Sequence, residues 1–102
     1  IEDNAFVGAG AVIVEGVQVC EGAVIAPGVV LSKGIPVYDC VNERILNPGE
    51  PIPAYAVVVP GTRPFSKNVW AKENGLQLQC ALIIKYKDAK TAASLTLEDL
   101  LR

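Results

Sequence analysis

The stretch IEDNAF-VGAGAV-IVEGVQ-VCEGAV-IAPGVV-LSKGIP-V, residues Ile1 to Val37, sets the architecture. Divided into sixes, every block opens on an aliphatic residue: Ile1, Val7, Ile13, Val19, Ile25, Leu31 and Val37. The fourth slot holds Asn4 and then Gly10, Gly16, Gly22, Gly28 and Gly34, and the fifth is small or aliphatic from Ala5 to Ile35. A short fixed period with a turn residue in a fixed slot marks a parallel β-helix, each block supplying one short strand and one corner. The leading aliphatic points inward, the fifth residue packs beside it, and glycine at the corner accepts a positive φ. Three blocks close one coil, so residues 1–36 are expected to form two coils and Val37 to open a third.

Beyond Val37 the frame breaks. Asn42-Glu43 turns the chain, Arg44-Ile45-Leu46 returns it, and Asn47-Pro48-Gly49-Glu50-Pro51 interrupts it again. Residues 39–51 are therefore expected to leave the prism as a hairpin-like excursion, and such insertions map to one face of a solenoid, often the binding face. The frame resumes at Ile52-Pro53-Ala54-Tyr55-Ala56-Val57, which completes the third coil. Gly61-Thr62-Arg63-Pro64 reads as a turn off the prism, closing a coil region over 1–64. A C-terminal extension over 65–102 is expected to hold a polar loop anchored by Trp70, a strand in the alternating stretch from Leu76 to Lys87, and a short helix capped by Thr96. Because the first block is already a regular repeat, the chain is expected to continue upstream into earlier coils and a further domain.

The totals fit one domain. Of the 102 residues 51% are apolar and 20% charged, the net charge is −2, and no apolar run approaches the ~20 residues of a bilayer span. Cys20, Cys40 and Cys80 are odd in number and unpatterned, which reads as reduced thiols in a cytosolic setting. Cys20 fills a slot that wants a small residue and reads as a small hydrophobe. Residues 1–50 carry seven acids against Lys33 and Arg44, whereas Arg63, Lys67, Lys72, Lys85, Lys87 and Lys90 dominate residues 63–90. That basic segment reads either as a solvated face or as a positive field for a phosphorylated ligand. Its bases lack the aromatic interleaving of a nucleic-acid surface.

Histidine is absent. This argues against a zinc site built on imidazoles, and scattered cysteines do not replace one, so no metal is expected. It also argues against an acyltransferase that must activate a hydroxyl with an imidazole base. An amine, once deprotonated, attacks a thioester with positioning and carboxylate help alone, so an acyl acceptor here would be an amine. Glu2, Asp3 and Glu21 fall at corners as solvated charge, and Glu15 stands beside the Gly16 corner, where it could face a groove between subunits.

Ile1 to Ala9, Val14-Glu15-Gly16-Val17, Pro36-Val37-Tyr38-Asp39, Ile52 to Gly61 and the tail from Cys80 to Arg102 together resemble the tetrahydrodipicolinate N-succinyltransferases, over nearly the whole chain. The resemblance implies an all-β fold, a left-handed parallel β-helix, in a homotrimer whose sites lie between neighbouring subunits. It also implies cytoplasmic transfer of succinyl from succinyl-coenzyme A to the amine of ring-opened tetrahydrodipicolinate, in the diaminopimelate and lysine pathway. Carried over by position, coenzyme A would run past Ala26, Ser32 and Lys33 and then the turn Val59-Pro60-Gly61. Backbone amides would pair with the pantetheine, Arg63, Lys67 or Lys85 would meet the phosphates, and Glu15 would aid deprotonation of the amine. The sequence departs from the family where an Arg and, two residues on, a Glu usually precede Val14-Glu15-Gly16: here stand Gly10 and Val12. A Lys expected shortly before Tyr38 is Pro36. These departures leave two alternatives open, a related acyl-coenzyme A transferase acting on another amine and a non-catalytic trimeric scaffold.

Overall fold

In the computed structural model, which describes residues 1–87, strands three blocks apart lie side by side. β1 (Phe6–Val7) runs parallel to β3 (Val24–Ile25), and β2 (Val12–Ile13) to β4 (Val30–Leu31). Phe6 faces Val24 and Val12 faces Val30, an offset of 18 residues and so three blocks per coil. The third side is a parallel bridge between Val19 and Ile52, flanked by Glu2 N–H to Val19 O at 2.9 Å and Cys20 N–H to Ile52 O at 3.1 Å. Leading and fifth residues fill the interior: Val19, Ala23, Ile25, Val29, Leu31, Ile52, Ala56 and Val58 form one buried cluster. Full burial of an Ile or Val side chain stabilises by about 1.5–3 kcal/mol each before ordering costs. Val7, Ile13 and Val17 pack against that cluster partly buried.

The corners follow the fourth slot. Asn4 has φ of 60°, and Gly10, Gly16, Gly22 and Gly28 lie between 68° and 91°. The same slot in the resumed frame is Tyr55, a bulky residue held at φ of 63°. Its ring lies over Gly22 on the neighbouring coil, where no side chain could fit beneath it.

The excursion begins earlier than the sequence suggests. Val37 does not open a third coil over Val19. Instead β5 (Val37–Asp39) runs parallel to β8 (Gln77–Tyr86), with Val37 opposite Ala81 and Asp39 opposite Ile83, and β6 (Arg44–Ile45) returns antiparallel. Pro36 has no N–H to give to a coil ladder, but its carbonyl accepts from Ala81 N–H at 3.1 Å, and Cys40 N–H reaches Ile83 O at 3.0 Å. Ile52 takes the vacated place, and Val24 faces Val57 at an offset of 33 residues, one coil plus a 15-residue excursion.

Gly61 to Pro64 is not a turn. β7 (Ala56–Pro64) continues straight off the third coil for nine residues and pairs antiparallel with β8 from Ala56–Tyr86 to Pro64–Gln77, with a register shift between Val57 and Val58. The result is one six-stranded sheet in the order β1-β3-β7-β8-β5-β6. β3 pairs with β7 only through Val58, so Pro60 and Pro64 stand where β7 has an open edge, the place a strand tolerates proline.

The connection from β7 to β8 contains a short helix, α1 (Val69–Glu73), where a polar loop was expected. Asn68 caps it through Oδ1, which accepts from Ala71 N–H at 2.9 Å. That phase buries Ala71 and leaves Trp70 67% exposed, so Ala71, not Trp70, anchors the segment. Asn68→Ala is expected to cost about 1 kcal/mol in chemical denaturation, and Asn68→Asp to retain the cap. The helix expected from Thr96 lies outside the described residues.

Candidate functional site

The excursion roofs a cavity of about 330 Å³. Its floor is the coil interior at Leu31 and Ile52, and one wall is the corner from Ser32 to Pro36. The returning arm of the excursion from Ile45 to Glu50 and Arg63 of β7 complete the lining. The floor is apolar because it is the inward face of the last coil, left without a coil above it by the departure at Val37, whereas Lys33, Tyr38, Asn47, Glu50 and Arg63 bring polar groups to the lining.

Two polar networks hold the roof. Asp39, 1% exposed, accepts through Oδ1 from the N–H groups of Val41 and Asn42, both at 3.1 Å. Its Oδ2 accepts from Asn42 Nδ2 at 2.8 Å and from Tyr86 Oη at 2.6 Å, tying the hairpin to β8. Burial alone would raise the Asp39 carboxyl, but the bonds from Tyr86, Asn42 and Val41 together hold it below its ordinary value. Burial and then the Asp39 bond push the Tyr86 phenol up to about 12. At the rim Arg44 donates two bonds to Glu50, at 2.9 and 2.7 Å, and Glu50 also accepts from Asn47 N–H at 2.9 Å. The Arg44 bond, followed by that amide, lowers the Glu50 carboxyl. Nothing in the spacing of the sequence announced the Asp39–Tyr86 pair, whose members are 47 residues apart.

The structure brings together three of the residues predicted to form the site: Ser32, Lys33 and Arg63 all line the cavity. Arg63 Nε is buried without a hydrogen-bond partner. Glu15 is exposed at the corner below and does not line the cavity. The link is Lys33, whose side chain extends across Gly16 on the coil beneath. Ala26 is buried, and its N–H is spent on Val58 O at 2.9 Å, so it cannot offer that group to a pantetheine.

Val59, Pro60 and Gly61 form strand, not a turn, opposite Leu82, Ala81 and Cys80. Val58 turns its carbonyl toward β3. By strand alternation Val59 and Gly61 then direct their backbone groups at β8, leaving Pro60, Thr62 and Pro64 on the open edge. Two of those three have no N–H, so this edge is richer in acceptors than in donors.

Lys85 is half-buried and pairs with Val57, at the opposite end of the β7–β8 ladder from Arg63. Six residues of strand, about 20 Å, prevent those two from sharing one phosphate. Lys67 is exposed in the turn before α1. Burial, then Glu2, raises the Cys20 thiol, and burial raises Cys80, so neither is an activated nucleophile. Among the described residues no group of three or more His, Cys, Asp or Glu side chains could hold a metal ion, and no helix is long and apolar enough to cross a membrane.

Residues 1–33 match the family model described as bacterial transferase hexapeptide (six repeats). All 102 residues align at 45% identity with a 2,3,4,5-tetrahydropyridine-2,6-dicarboxylate N-succinyltransferase of Maricaulis maris, covering 34% of that protein. Proteins of the same description from Brucella ovis and Brucella melitensis are 42% identical over the same 102 residues, 35% of their length. The chain thus spans about a third of the curated relatives it matches, and the likeness runs past the repeats through the excursion, β7 and β8.

Proposed function

We propose that this chain, which belongs to the tetrahydrodipicolinate N-succinyltransferase family, supplies the acyl-donor side of an acyl-coenzyme A-dependent N-acyltransferase. The observation that carries the reading is the unbroken match along the chain, which includes the excursion roofing the cavity and not only the repeats. The donor is succinyl-coenzyme A, and the acceptor is the amine of ring-opened tetrahydrodipicolinate, in the diaminopimelate and lysine pathway of the cytoplasm. The 18-residue coils are those of a left-handed parallel β-helix. Three copies pack so that each site lies between neighbours, and the part of the protein beyond this chain holds the amino-dicarboxylate.

The chemistry asked of these residues is modest. The neutral amine attacks the thioester carbonyl, the C–N bond forms, and the oxyanion collapses with loss of the coenzyme A thiolate. The proton leaving the amine passes to a carboxylate, a role open to Glu15 at its exposed corner, and backbone N–H groups meet the oxyanion. Ser32 and Lys33 border the path of the thioester arm, with Ala26 as apolar wall. The Pro60, Thr62 and Pro64 carbonyls on the open edge of β7 are available to accept from the pantetheine amides, while Val59 and Gly61 spend their backbone groups on β8. Lys67 and Lys85 provide positive charge toward the phosphates, while Lys33 and Arg63 line the cavity.

Calorimetric titration of coenzyme A and succinyl-coenzyme A into the full-length protein tests this. Micromolar binding is expected, about −8 kcal/mol, with tetrahydrodipicolinate-dependent release of free thiol. Lys33→Ala weakens both ligands several-fold. Absence of binding to an intact trimer sinks the enzymatic reading and leaves the scaffold. Gly10 and Val12, in place of the family's Arg and Glu, favour one variant: binding without turnover of tetrahydrodipicolinate assigns the site to another amine.

A further inference from the structure

We infer that the cavity beneath the excursion takes the carboxylate end of a short acyl chain, with Arg63 as its anchor, an inference that rests on the acyl-coenzyme A reading above. Arg63 Nε is buried and has no partner. A guanidinium is charged at every accessible pH and has no acceptor of its own, so a buried donor of this kind calls for an anion or another acceptor in the space it faces. Of the charged residues lining that space, Glu50 is occupied by Arg44 and the Asn47 amide, which leaves Lys33 and Arg63 to set its sign. Leu31, Ile35, Leu46 and Ile52 give the wall hydrocarbon that suits methylene groups, with Ser32, Tyr38 and Asn47 as its uncharged polar side chains. One half-buried guanidinium with its Nε unpartnered matches one carboxylate; a phosphate with its higher charge is better served by the exposed lysines. At about 330 Å³ the cavity is at the small end for ligand sites, enough for an acyl end but not for a nucleotide as well.

The same chemistry is offered by the acyl end of succinyl-coenzyme A and by a free dicarboxylate, and the ligands of the test separate them. Coenzyme A, butyryl-coenzyme A (the same chain length without the carboxylate), succinyl-coenzyme A and succinate are titrated into the full-length protein and its Arg63→Met variant. Wild type is expected to bind succinyl-coenzyme A about tenfold more tightly than butyryl-coenzyme A, the scale of one charge-assisted contact. Arg63→Met brings the ratio to about one and leaves coenzyme A affinity unchanged. Ile45→Trp, at an exposed position on the cavity wall, lowers the same ratio with Arg63 intact, which covers the case in which Arg63→Met fails to fold. A ratio that survives Arg63→Met overturns the inference, as does an equal loss for all three coenzyme A ligands, the mark of a phosphate clamp. If no thioester binds at all, the acyl-coenzyme A reading fails by itself. Arg63-dependent succinate binding would then assign the cavity to a free dicarboxylate, and no succinate binding would overturn this inference too.

Discussion

Gly22→Ala lowers the unfolding free energy by about 2–4 kcal/mol, whereas Gly28→Ala, at the next corner of the same coil, costs about 1–2 kcal/mol. Both glycines have positive φ, 68° and 81°, so each substitution brings the strain of an L side chain in the left-handed region. They differ in what lies above. A Cβ at Gly28 meets nothing within 4 Å, but one at Gly22 overlaps the ring of Tyr55. Tyr55 is poorly placed to yield, since its N–H is bonded to Glu21 O at 2.9 Å and its carbonyl accepts from Lys87 N–H at 3.0 Å. Chemical denaturation of the full-length protein separates the two glycines. The double variant Gly22→Ala, Tyr55→Gly is expected to recover more than about 1 kcal/mol relative to additivity. Equal costs at the two corners would show that the ring does not press on Gly22.

This pair also marks how far the sequence could be read. The six-residue period gave the coils, the inward residues and the corners, because each is a local consequence of slot position. It also returned the chain to the frame at Ile52. What it could not give was whatever depends on a partner distant in sequence. Val37 carries the pattern of a leading residue yet pairs with Ala81, because β8 offers a ladder that Pro36 can join through its carbonyl. Gly61 to Pro64 looks like a turn by composition, but β8 supplies one edge and solvent tolerates the prolines on the other. Trp70 looked like an anchor by size, and the cap at Asn68 set a helix phase that turned it outward. The candidate site divides the same way. Ser32, Lys33 and Arg63, singled out by position, line one cavity; the Ala26 N–H and the backbone groups of Val59 and Gly61 are engaged in ladders, and the Asp39 network had no local signal.

Asp39→Ala is expected to destabilise the excursion most, by about 2–3 kcal/mol, since it removes the one acceptor shared by two backbone N–H groups, the Asn42 amide and the half-buried Tyr86 hydroxyl. Tyr86→Phe removes one of four donors and costs about 1–2 kcal/mol. The pair makes opposite statements about pH. The Asp39 carboxyl is held low in the folded chain, so its contribution is fully present above the unfolded value near 3.9 and is lost as pH falls through the folded one. The Tyr86 phenol is held high, at about 12, so its contribution is fully present below the unfolded value near 10 and is lost as pH rises from there through 12. Wild-type stability therefore falls at both ends, and Tyr86→Phe removes its share of the alkaline loss while keeping most of the acid one. Because the excursion is the roof of the cavity, hydrogen exchange of the Val41 and Asn42 amides should rise in Asp39→Ala well before global unfolding. Ligand affinity is expected to fall with it, while the coils beneath keep their protection. An Asp39→Ala variant with unchanged exchange at those two amides would show that the roof is held by the Arg44–Glu50 pair instead.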